Sequence, residues 1–303
     1  MMWSEALTGF PEESPRQVRS KITVEGNEMT SLVNGAVFAC VLLLSSGFGG
    51  PGVGGTACPG DISPDRHEKS VMLSLVAVAE NSRTIPVFDY AEDIGDGRGI
   101  TFGMVGFTTG TFDGSIWLHH YTSLDPSNRL AEYIPAMDAI DAGPHPGGMS
   151  DDVAGLEGFM EDFRAPLDDA FFKQSQIDVM DGMYWTPALD LARSLGVRHN
   201  VTLAQLFDAC IQMGQDGMAG IAERTSAALG GSPREGVDEI LWLSCFLDER
   251  EAVLSRNTAW KESIDRIDMF RRLLQTGNHS LEAPFDVTCY GDSFTVTGTG
   301  VLP

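Results

Sequence analysis

A single glycine-rich segment in an otherwise helical chain is the strongest constraint on the fold. Six glycines lie between Gly95 and Gly110, and they are interleaved with apolar residues such as Ile100, Phe102 and Phe107. Glycine permits the backbone conformations of tight turns, and this mixture is typical of short β-strands joined by such turns. The segment therefore predicts one small sheet near the front of the chain.

Periodic apolar residues on both sides of this segment predict helices. Before it, Val71, Leu75 and Val78 recur at helical spacing and predict an amphipathic helix over 65–79 that ends at Glu80. After residue 122 the pattern is helical again, over 130–140, 153–172, 175–183, 187–195, 203–213, 220–229, 235–255 and 258–275, and a short extended tail follows. The predicted fold class is α+β, predominantly α, in two lobes.

The balance of charges restricts the partners of this chain. Its 303 residues include 43 acidic and 20 basic side chains, a net charge of −23, and residues 1–58 hold only five of the acidic ones. A domain this acidic repels phosphate backbones and anionic membranes, so we expect neither nucleic acid nor a membrane as a partner. The charge would attract a cationic substrate, although solubility alone also accounts for it.

Residues 1–58 have the composition of a leader. The apolar run 33–44 is followed by small, glycine-rich sequence as far as Cys58. A helix that spans a bilayer needs roughly 20 apolar residues, and this shorter run is typical of a secretory signal with a cleavage region. A signal anchor or a buried N-terminal segment is the alternative. We therefore expect a leader and linker over 1–58, a functional domain over 59–303, and a secreted, extracellular protein.

Two carboxyl groups near the glycine-rich segment lie in contrasting environments. Glu80 ends an apolar helix, where the negative end of the helix dipole favours the protonated acid. Asp96 lies in a glycine-flanked turn beside Arg98, where N–H groups and a cation favour the carboxylate. Glycoside hydrolysis uses one protonated and one ionised carboxyl as acid and base. Taken alone, a solvated helix end and an ordinary Asp-Gly turn explain these residues more simply.

Other chemistry has weaker support in the sequence. The spaced glycines of 95–99 have no following Lys-Ser or Lys-Thr, and Asp96 would repel a phosphate. The segment after Asp93 lacks the alternating oxygen ligands of a calcium loop, and His119-His120 has no zinc motif. The chain contains no G-x-S-x-G and no C-x-x-C. We therefore expect no metal and no cofactor.

Six sequence blocks along the chain form a specific pattern. The blocks are A-E-N-S at 79–82, Y-x-E-D-I-G-D-G-R-G-x-T at 90–101, and segments 106–113, 174–181, 246–250 and 290–292. Together they resemble the blocks of the family 46 glycoside hydrolases, the chitosanases. The resemblance covers roughly residues 65–295. It implies a lysozyme-like, two-lobed fold with a small β-sheet and a cleft between the lobes. It also implies inverting endo-hydrolysis of β-1,4 linkages in chitosan or glucosamine oligomers without a cofactor, and we expect a monomer.

The resemblance assigns roles to individual residues. Glu80 matches the general acid, Asp96 the general base, and Thr101 the hydroxyl that helps to hold the attacking water. Three further residues match positions that line the sugar subsites: Tyr90, Arg98 and Asp113. An inverting enzyme needs room for that water, so its two carboxyl groups are about 6.5–9.5 Å apart. A glutamate on a helix and an aspartate on a later turn can meet this requirement from opposite walls of a groove.

The resemblance also implies a buried ion-pair network and includes two departures. The network, which would steady the helical lobe, matches Asp178, Arg224 and Arg250. The first departure is Gly214, which follows Met213 where the family has His-Gly. The second is Phe112, a large residue at a position where a small one is usual. We expect both departures to alter sugar subsites and to leave the reaction intact.

Two other functions remain open at this stage. A lysozyme-like hydrolase of N-acetylated glycans would have the same fold, but neutral or anionic polymers gain nothing from an acidic surface. A non-catalytic chitosan-binding protein would have the same cleft, but it would not need an acid, a base and Thr101. Comparing the hydrolysis of chitosan, chitin and cell-wall polymer would separate the three.

Overall fold

The computed structural model describes residues 60–256 and 263–302, so the predicted leader lies outside the described residues. The helices are α1 Arg66–Asn81, α2 Asp113–Leu124, α3 Ile134–Asp141, α4 Phe159–Arg164, α5 Ala170–Met180, α6 Thr186–Leu195, α7 Asn200–Leu229, α8 Glu239–Arg256 and α9 Ile264–Thr276. The strands are β1 Ala91–Asp93, β2 Ile100–Phe102, β3 Phe107–Thr108, β4 Phe285–Cys289 and β5 Asp292–Val296. A π-helical turn, Asp181–Trp185, connects α5 to α6.

Helix α1 is the central helix of the molecule. Asp65 and Glu68 form a capping box at its start, with hydrogen bonds of 2.9 and 2.7 Å, and this arrangement satisfies two of the free N–H groups there. The amphipathic pattern predicted a helix with one exposed face. Instead, every residue from 70 to 79 is buried, so the helix is surrounded on all sides. Its last turn carries Glu80 out of the core, and Ser82 ends it with a left-handed φ of 52°.

The glycine-rich segment folds as predicted into a three-stranded antiparallel sheet in the order β1-β2-β3. The turn between β1 and β2 has positive φ at Gly95, Gly97 and Gly99, which other residues adopt only with strain. A different constraint applies at Gly110, where a Cβ would lie 1.8 Å from the carbonyl oxygen of Ser150. The segment around Ser150 therefore packs directly against the backbone that follows β3.

The elements pack as two lobes, which confirms the predicted fold class. The first lobe contains the β1-β2-β3 sheet and helices α2 to α5, and the second contains α1, α6 to α9 and the β4-β5 hairpin. Phe102 is central to the first core, with ring centroids of Trp117, Phe159 and Phe163 at 5.3, 5.2 and 5.0 Å. The π-helical turn packs against α5, α6 and α7 and so joins the two lobes.

The sequence prediction was wrong for several elements. The chain becomes helical at Asp113, not after residue 122, and the predicted helix over 153–172 is interrupted. Gly155 and Gly158 have φ values of 80° and 89° there, which end helical geometry. The predicted helices 203–213 and 220–229 form one helix, α7, kinked at Gly214 (φ 73°, ψ 171°).

The extended tail is a second small sheet, the β4-β5 hairpin. It packs against α9 and α1. None of the helices that the structure describes combines the length and apolar composition needed to cross a bilayer.

Candidate active site

Glu80 lies at the end of α1 with its carboxyl group held by an arginine from another helix. Arg266 on α9 donates a hydrogen bond of 2.7 Å to Glu80 Oε1, and the Glu80 side chain is 17% exposed. The contact gives Glu80 a fixed orientation. Glu80 is therefore both accessible and positioned.

Arg266 belongs to a buried ion-pair network centred on Asp208. The Asp208 carboxylate, fully buried on α7, accepts from Arg266 at 2.6 Å and from Arg250 at 2.7 Å. Burial alone would raise the pKa of Asp208, but the charges of Arg266 and Arg250 hold that pKa below its usual value. Arg250 also donates to Gln212 at 2.6 Å. The network connects α1, α7, α8 and α9.

The network that the resemblance implied is wrong in two of its three members. Asp178 is half-exposed on α5, in the first lobe, where its partners are His120 at 2.9 Å and Gln174 at 2.7 Å. Arg224 is 50% exposed on α7 and pairs with Glu249 at 3.3 Å. Arg250 is the member that is buried as expected. The error arose because similarity in sequence does not show which side of a helix faces the core.

Asp96 lies in the turn between β1 and β2, paired with Arg98. One Asp96 oxygen accepts from Arg98 Nε at 2.9 Å and Nη2 at 2.6 Å, and the other accepts from the Arg98 N–H at 3.2 Å. Burial would lower the pKa of Arg98, but the hydrogen bond and charge of Asp96, followed by the charges of Asp113 and Glu80, raise it. Arg98 therefore lies among three carboxylates from α1, the turn and α2.

Thr101 follows on β2, where its side chain is 3% exposed. Its Oγ1 is buried and has no hydrogen-bond partner among the described residues. An unpartnered buried hydroxyl is unfavourable by about 1–3 kcal/mol. Shortly after the Asp96 turn, β2 therefore carries a polar atom whose hydrogen bond the described residues do not supply.

Asp113 is the first residue of α2 and is almost fully buried. It accepts from the Thr108 N–H at 3.0 Å and from the Thr111 hydroxyl at 2.9 Å. Burial raises its pKa to about 6, although these hydrogen bonds and the charge of Arg98 oppose the rise. Asp113 is thus a carboxyl group that changes charge in mildly acidic solution.

Tyr90 and Glu92 lie at the edge of the sheet. The Tyr90 hydroxyl donates to Glu92 at 3.0 Å. Both residues line a groove of about 640 Å³, together with Asp89, Asp93 and Arg164. The groove is therefore bordered by several carboxylates and one aromatic ring.

Tyr184, in the π-helical turn, is a site residue that the sequence did not indicate. Burial raises its pKa well above the ordinary value, and the charges of Asp113, Arg98 and Glu80 also act on its phenol. Tyr184 is therefore close to groups from both lobes. π-Helical turns are rare and frequently occur at functional sites.

Phe112 adopts a left-handed backbone conformation, with φ 72°, directly before Asp113. Its ring stacks on His145, with centroids 4.5 Å apart and planes 22° apart. Left-handed backbone is unfavourable for an aromatic residue, and the stacking offsets part of that strain. The large residue noted at this position in the sequence thus lies against His145, directly before Asp113.

Asp208 and Arg266 were the other residues missed by sequence reasoning. Asp208 stands in the apolar stretch L-A-Q-L-F-D-A-C-I of α7, and a carboxyl group in such a sequence indicates a buried ion pair. That signal was available for Asp208. Arg266 lies in a highly charged stretch of α9 in which nothing distinguishes it from its neighbours.

Comparison with known proteins places the chain in a family. The model of glycosyl hydrolase family 46 matches residues 74–285. A chitosanase of Bacillus subtilis strain 168 is 31% identical over 233 residues, covering 74% of this chain and 82% of that protein. A chitosanase of Streptomyces sp. strain N174 is 33% identical over 238 residues, covering 77% and 83%.

Solved structures agree with this assignment. A mutant chitosanase from Bacillus subtilis MY002, complexed with six GlcN units, has a TM-score of 0.72 and 30% identity, covering 78% of this chain and all of that one. A chitosanase from Gynuella sunshinyii, in complex with chitotetraose, has a TM-score of 0.71 and 33% identity, covering 77% and 99%.

Proposed function

The chain is a member of glycosyl hydrolase family 46, and from this membership we propose that it is an inverting endo-chitosanase. It would cleave β-1,4 linkages between glucosamine units. One observation carries the proposal: Glu80 from α1 and Asp96 from the β1-β2 turn both interact electrostatically with Arg98, and Thr101 lies three residues after Arg98 on β2. Two carboxylates from different lobes thus approach one point.

We assign Glu80 as the general acid. Its Oε1 accepts from Arg266, so Oε2 would carry the proton that passes to the glycosidic oxygen. Because Arg266 also contacts Asp208 through two hydrogen bonds, its charge is shared between two carboxylates. Arg266 therefore orients Glu80 without being paired to it alone.

We assign Asp96 as the general base. The Asp96 carboxylate would take a proton from water as the oxygen of that water attacks the anomeric carbon. The unpartnered Thr101 hydroxyl would accept or donate the hydrogen bond that orients the same water. Asp96 must release part of its contact with Arg98 for this step, and bound substrate supplies the cationic amines that can replace it.

The charge of the site supports a cationic sugar chain as substrate. We propose that Asp113 and the groove beside Tyr90 and Glu92 bind glucosamine units whose ammonium groups pair with these carboxylates. Arg98 would position Asp96 and contact sugar hydroxyls. A neutral N-acetylated chain would leave these carboxylates without cations, which disfavours the lysozyme-like alternative.

We further propose the organisation expected from the sequence. Residues 1–58 would form a leader with a secretory signal and linker, and residues 59–303 a catalytic domain that acts outside the cell as a monomer. The apolar run at 33–44 supports the signal. Mass spectrometry of the exported protein would show whether its N-terminus lies after this run.

The assignment of acid and base is tested by substitution of Glu80. The Glu80→Gln variant retains an oxygen for Arg266 but cannot donate a proton, so we expect turnover of glucosamine hexamer to fall by about 10²–10⁴-fold. Glu249→Gln, which changes a surface carboxylate, is the matched control and should keep full activity. NMR of fresh product should show the α-anomer. Near-normal activity of Glu80→Gln, or a β-anomer, would contradict the proposal.

A further inference from the structure

The turn at the tip of the β4-β5 hairpin contains a large exposed aromatic residue in an unfavourable conformation. Cys289 pairs with Asp292 across the hairpin, so Tyr290 and Gly291 form a two-residue turn. Their φ values are 53° and 84°. Turns with positive φ at both positions favour Asn, Asp or Gly at the first, because a side chain there strains the backbone. The Tyr290 side chain is nevertheless 42% exposed.

Two adjacent residues of α9 connect this turn to Glu80. The Asp265 carboxylate accepts the N–H of Tyr290, and the next residue, Arg266, donates to Glu80 at 2.7 Å. The charges of Arg266 and Glu80 both act on the Tyr290 phenol. The backbone of Tyr290 is therefore anchored by the same turn of α9 that positions the proposed acid, and its phenol lies within electrostatic range of that acid.

We propose that the ring of Tyr290 is a platform for one glucosamine unit beside the bond that Glu80 cleaves, an inference that rests on the proposed function. Strained residues persist where the structure needs a side chain at that point, and here Gly or Asn would form the turn more easily. Packing accounts for the strain only in part, since 42% of the residue remains exposed. Contact with substrate would account for the rest.

The chemistry of the ring suits a protonated amino sugar. A tyrosine ring offers an apolar face to the C–H groups of a pyranose, and its π-electrons attract a nearby ammonium group. Partial burial raises the pKa of the phenol to about 12, so the hydroxyl stays neutral and can donate a hydrogen bond. An N-acetylated unit would keep the packing but lose the attraction between cation and ring. Tyr290 would therefore favour glucosamine over its N-acetylated form.

Substitution at Tyr290 separates a platform from a structural role. Tyr290→Gly removes the ring and also relieves the backbone, so its melting temperature should equal or exceed that of the parent. We expect its KM for glucosamine hexamer to rise about 3- to 10-fold, with kcat affected less, as loss of an aromatic contact predicts. Tyr290→Phe keeps the ring and should restore most of the affinity. Phe171→Ala, at an exposed aromatic residue on α5, is the matched control and should keep the parent KM.

The outcomes distinguish this inference from the proposed function. An unchanged KM in Tyr290→Gly, or a KM in Tyr290→Phe as high as in Tyr290→Gly, overturns the platform. If Glu80→Gln is inactive while Tyr290→Gly binds normally, only the platform fails. If Glu80→Gln remains active, the proposed function fails instead. Repeating the comparison on partially N-acetylated oligomers should give a smaller rise in KM, and an equal rise would contradict the preference for glucosamine.

Discussion

Thr101 and Thr108 face each other across β2 and β3, but their hydroxyls differ in environment. The Thr108 hydroxyl contacts Thr111 and lies 3.4 Å from Asp113, whereas the Thr101 hydroxyl is buried without a partner among the described residues. The two positions share a sheet and similar burial. They therefore form a matched pair for separating a catalytic hydroxyl from a structural one.

Replacing each threonine by valine should have opposite consequences. Thr101→Val removes an unsatisfied hydroxyl, so we expect the free energy of unfolding to stay equal or to rise by about 1 kcal/mol. Its kcat should fall about 10- to 100-fold because the attacking water loses a contact. Thr108→Val should instead lose about 1–2 kcal/mol of stability. Denaturant titration and steady-state kinetics measure both effects, and a Thr101→Val enzyme with normal kcat would exclude the proposed role.

The raised pKa of Asp113 predicts that substrate affinity depends on pH. Above its pKa of about 6 the group is a carboxylate that attracts an ammonium, and below it the group becomes neutral. We therefore expect KM for glucosamine oligomers to rise as pH falls through 6. The substrate cannot produce this effect, because its amines gain positive charge on acidification and would bind an acidic site more tightly.

The same pKa has a predictable effect on stability. The folded pKa lies above the ordinary value of 3.8, so the contribution of Asp113 to stability is greatest below about pH 4 and decreases as pH rises to 6. The Asp113→Asn variant has no carboxyl group to titrate, so it should lose this pH-dependent contribution to stability. For the same reason, its KM should not depend on pH between about pH 4 and 6. A KM that varies identically with pH in the parent and in Asp113→Asn would assign the titration to another group.

At the residue scale, local sequence predicts some site residues and not others. Asp96 and Arg98 are two positions apart in one turn, so their pairing follows from short-range chemistry. Arg266 is 186 residues from Glu80 and 58 from Asp208. Its role depends on how α9 packs against α1 and α7, which composition and spacing do not reveal.

At the element scale, the Asp208 network holds four helices around the proposed acid. Asp208→Asn keeps the shape of the side chain but leaves Arg250 and Arg266 buried with less negative charge to balance them. Breaking a buried ion pair on one side is unfavourable by about 3–5 kcal/mol. We expect a loss of this size in denaturant titration.

The control for this prediction is an ion pair on the surface of α8. Asp248 is 71% exposed and contacts Arg271 at 2.6 Å. Exposed pairs contribute about 0–1 kcal/mol, so Asp248→Asn should change stability little. If Asp208→Asn and Asp248→Asn lost equal stability, burial of the Asp208 network would not determine how much that network contributes to stability.

Element boundaries followed the sequence where local signals agreed with packing. The capping box at Asp65 and the buried stretch after it specify α1, and the glycines specify the sheet. Helix α2 was missed because its sequence, D-G-S-I-W-L-H-H-Y-T-S-L, is poor in helix formers. Burial of Trp117 and Tyr121 stabilises it, and such tertiary stabilisation is invisible in a local pattern.

At the scale of the whole molecule, the two lobes are joined at the π-helical turn. Lys69 on α1 pairs with Asp181 at 2.5 Å and lies 5.2 Å from the centroid of the Trp185 ring. Lys69, a residue of the second lobe, thus contacts the first and the last residue of the π-helical turn. That turn directly follows α5 of the first lobe. The turn therefore links the lobe that carries Glu80 to the lobe that carries Asp96.

The net charge of −23 predicts how the enzyme responds to salt. An acidic protein attracts a polycation over a distance set by the Debye length, which is about 10 Å at 0.1 M and 3 Å at 1 M ionic strength. Raising NaCl from about 0.01 to 0.5 M should therefore lower kcat/KM for chitosan about 10-fold or more through slower association, with kcat changed little. Highly acetylated chitosan of equal length carries fewer ammonium groups and should show a weaker dependence. If both polymers respond equally, or if kcat falls in parallel, salt acts on the protein itself, and the acidity of the chain reflects solubility rather than attraction of its substrate.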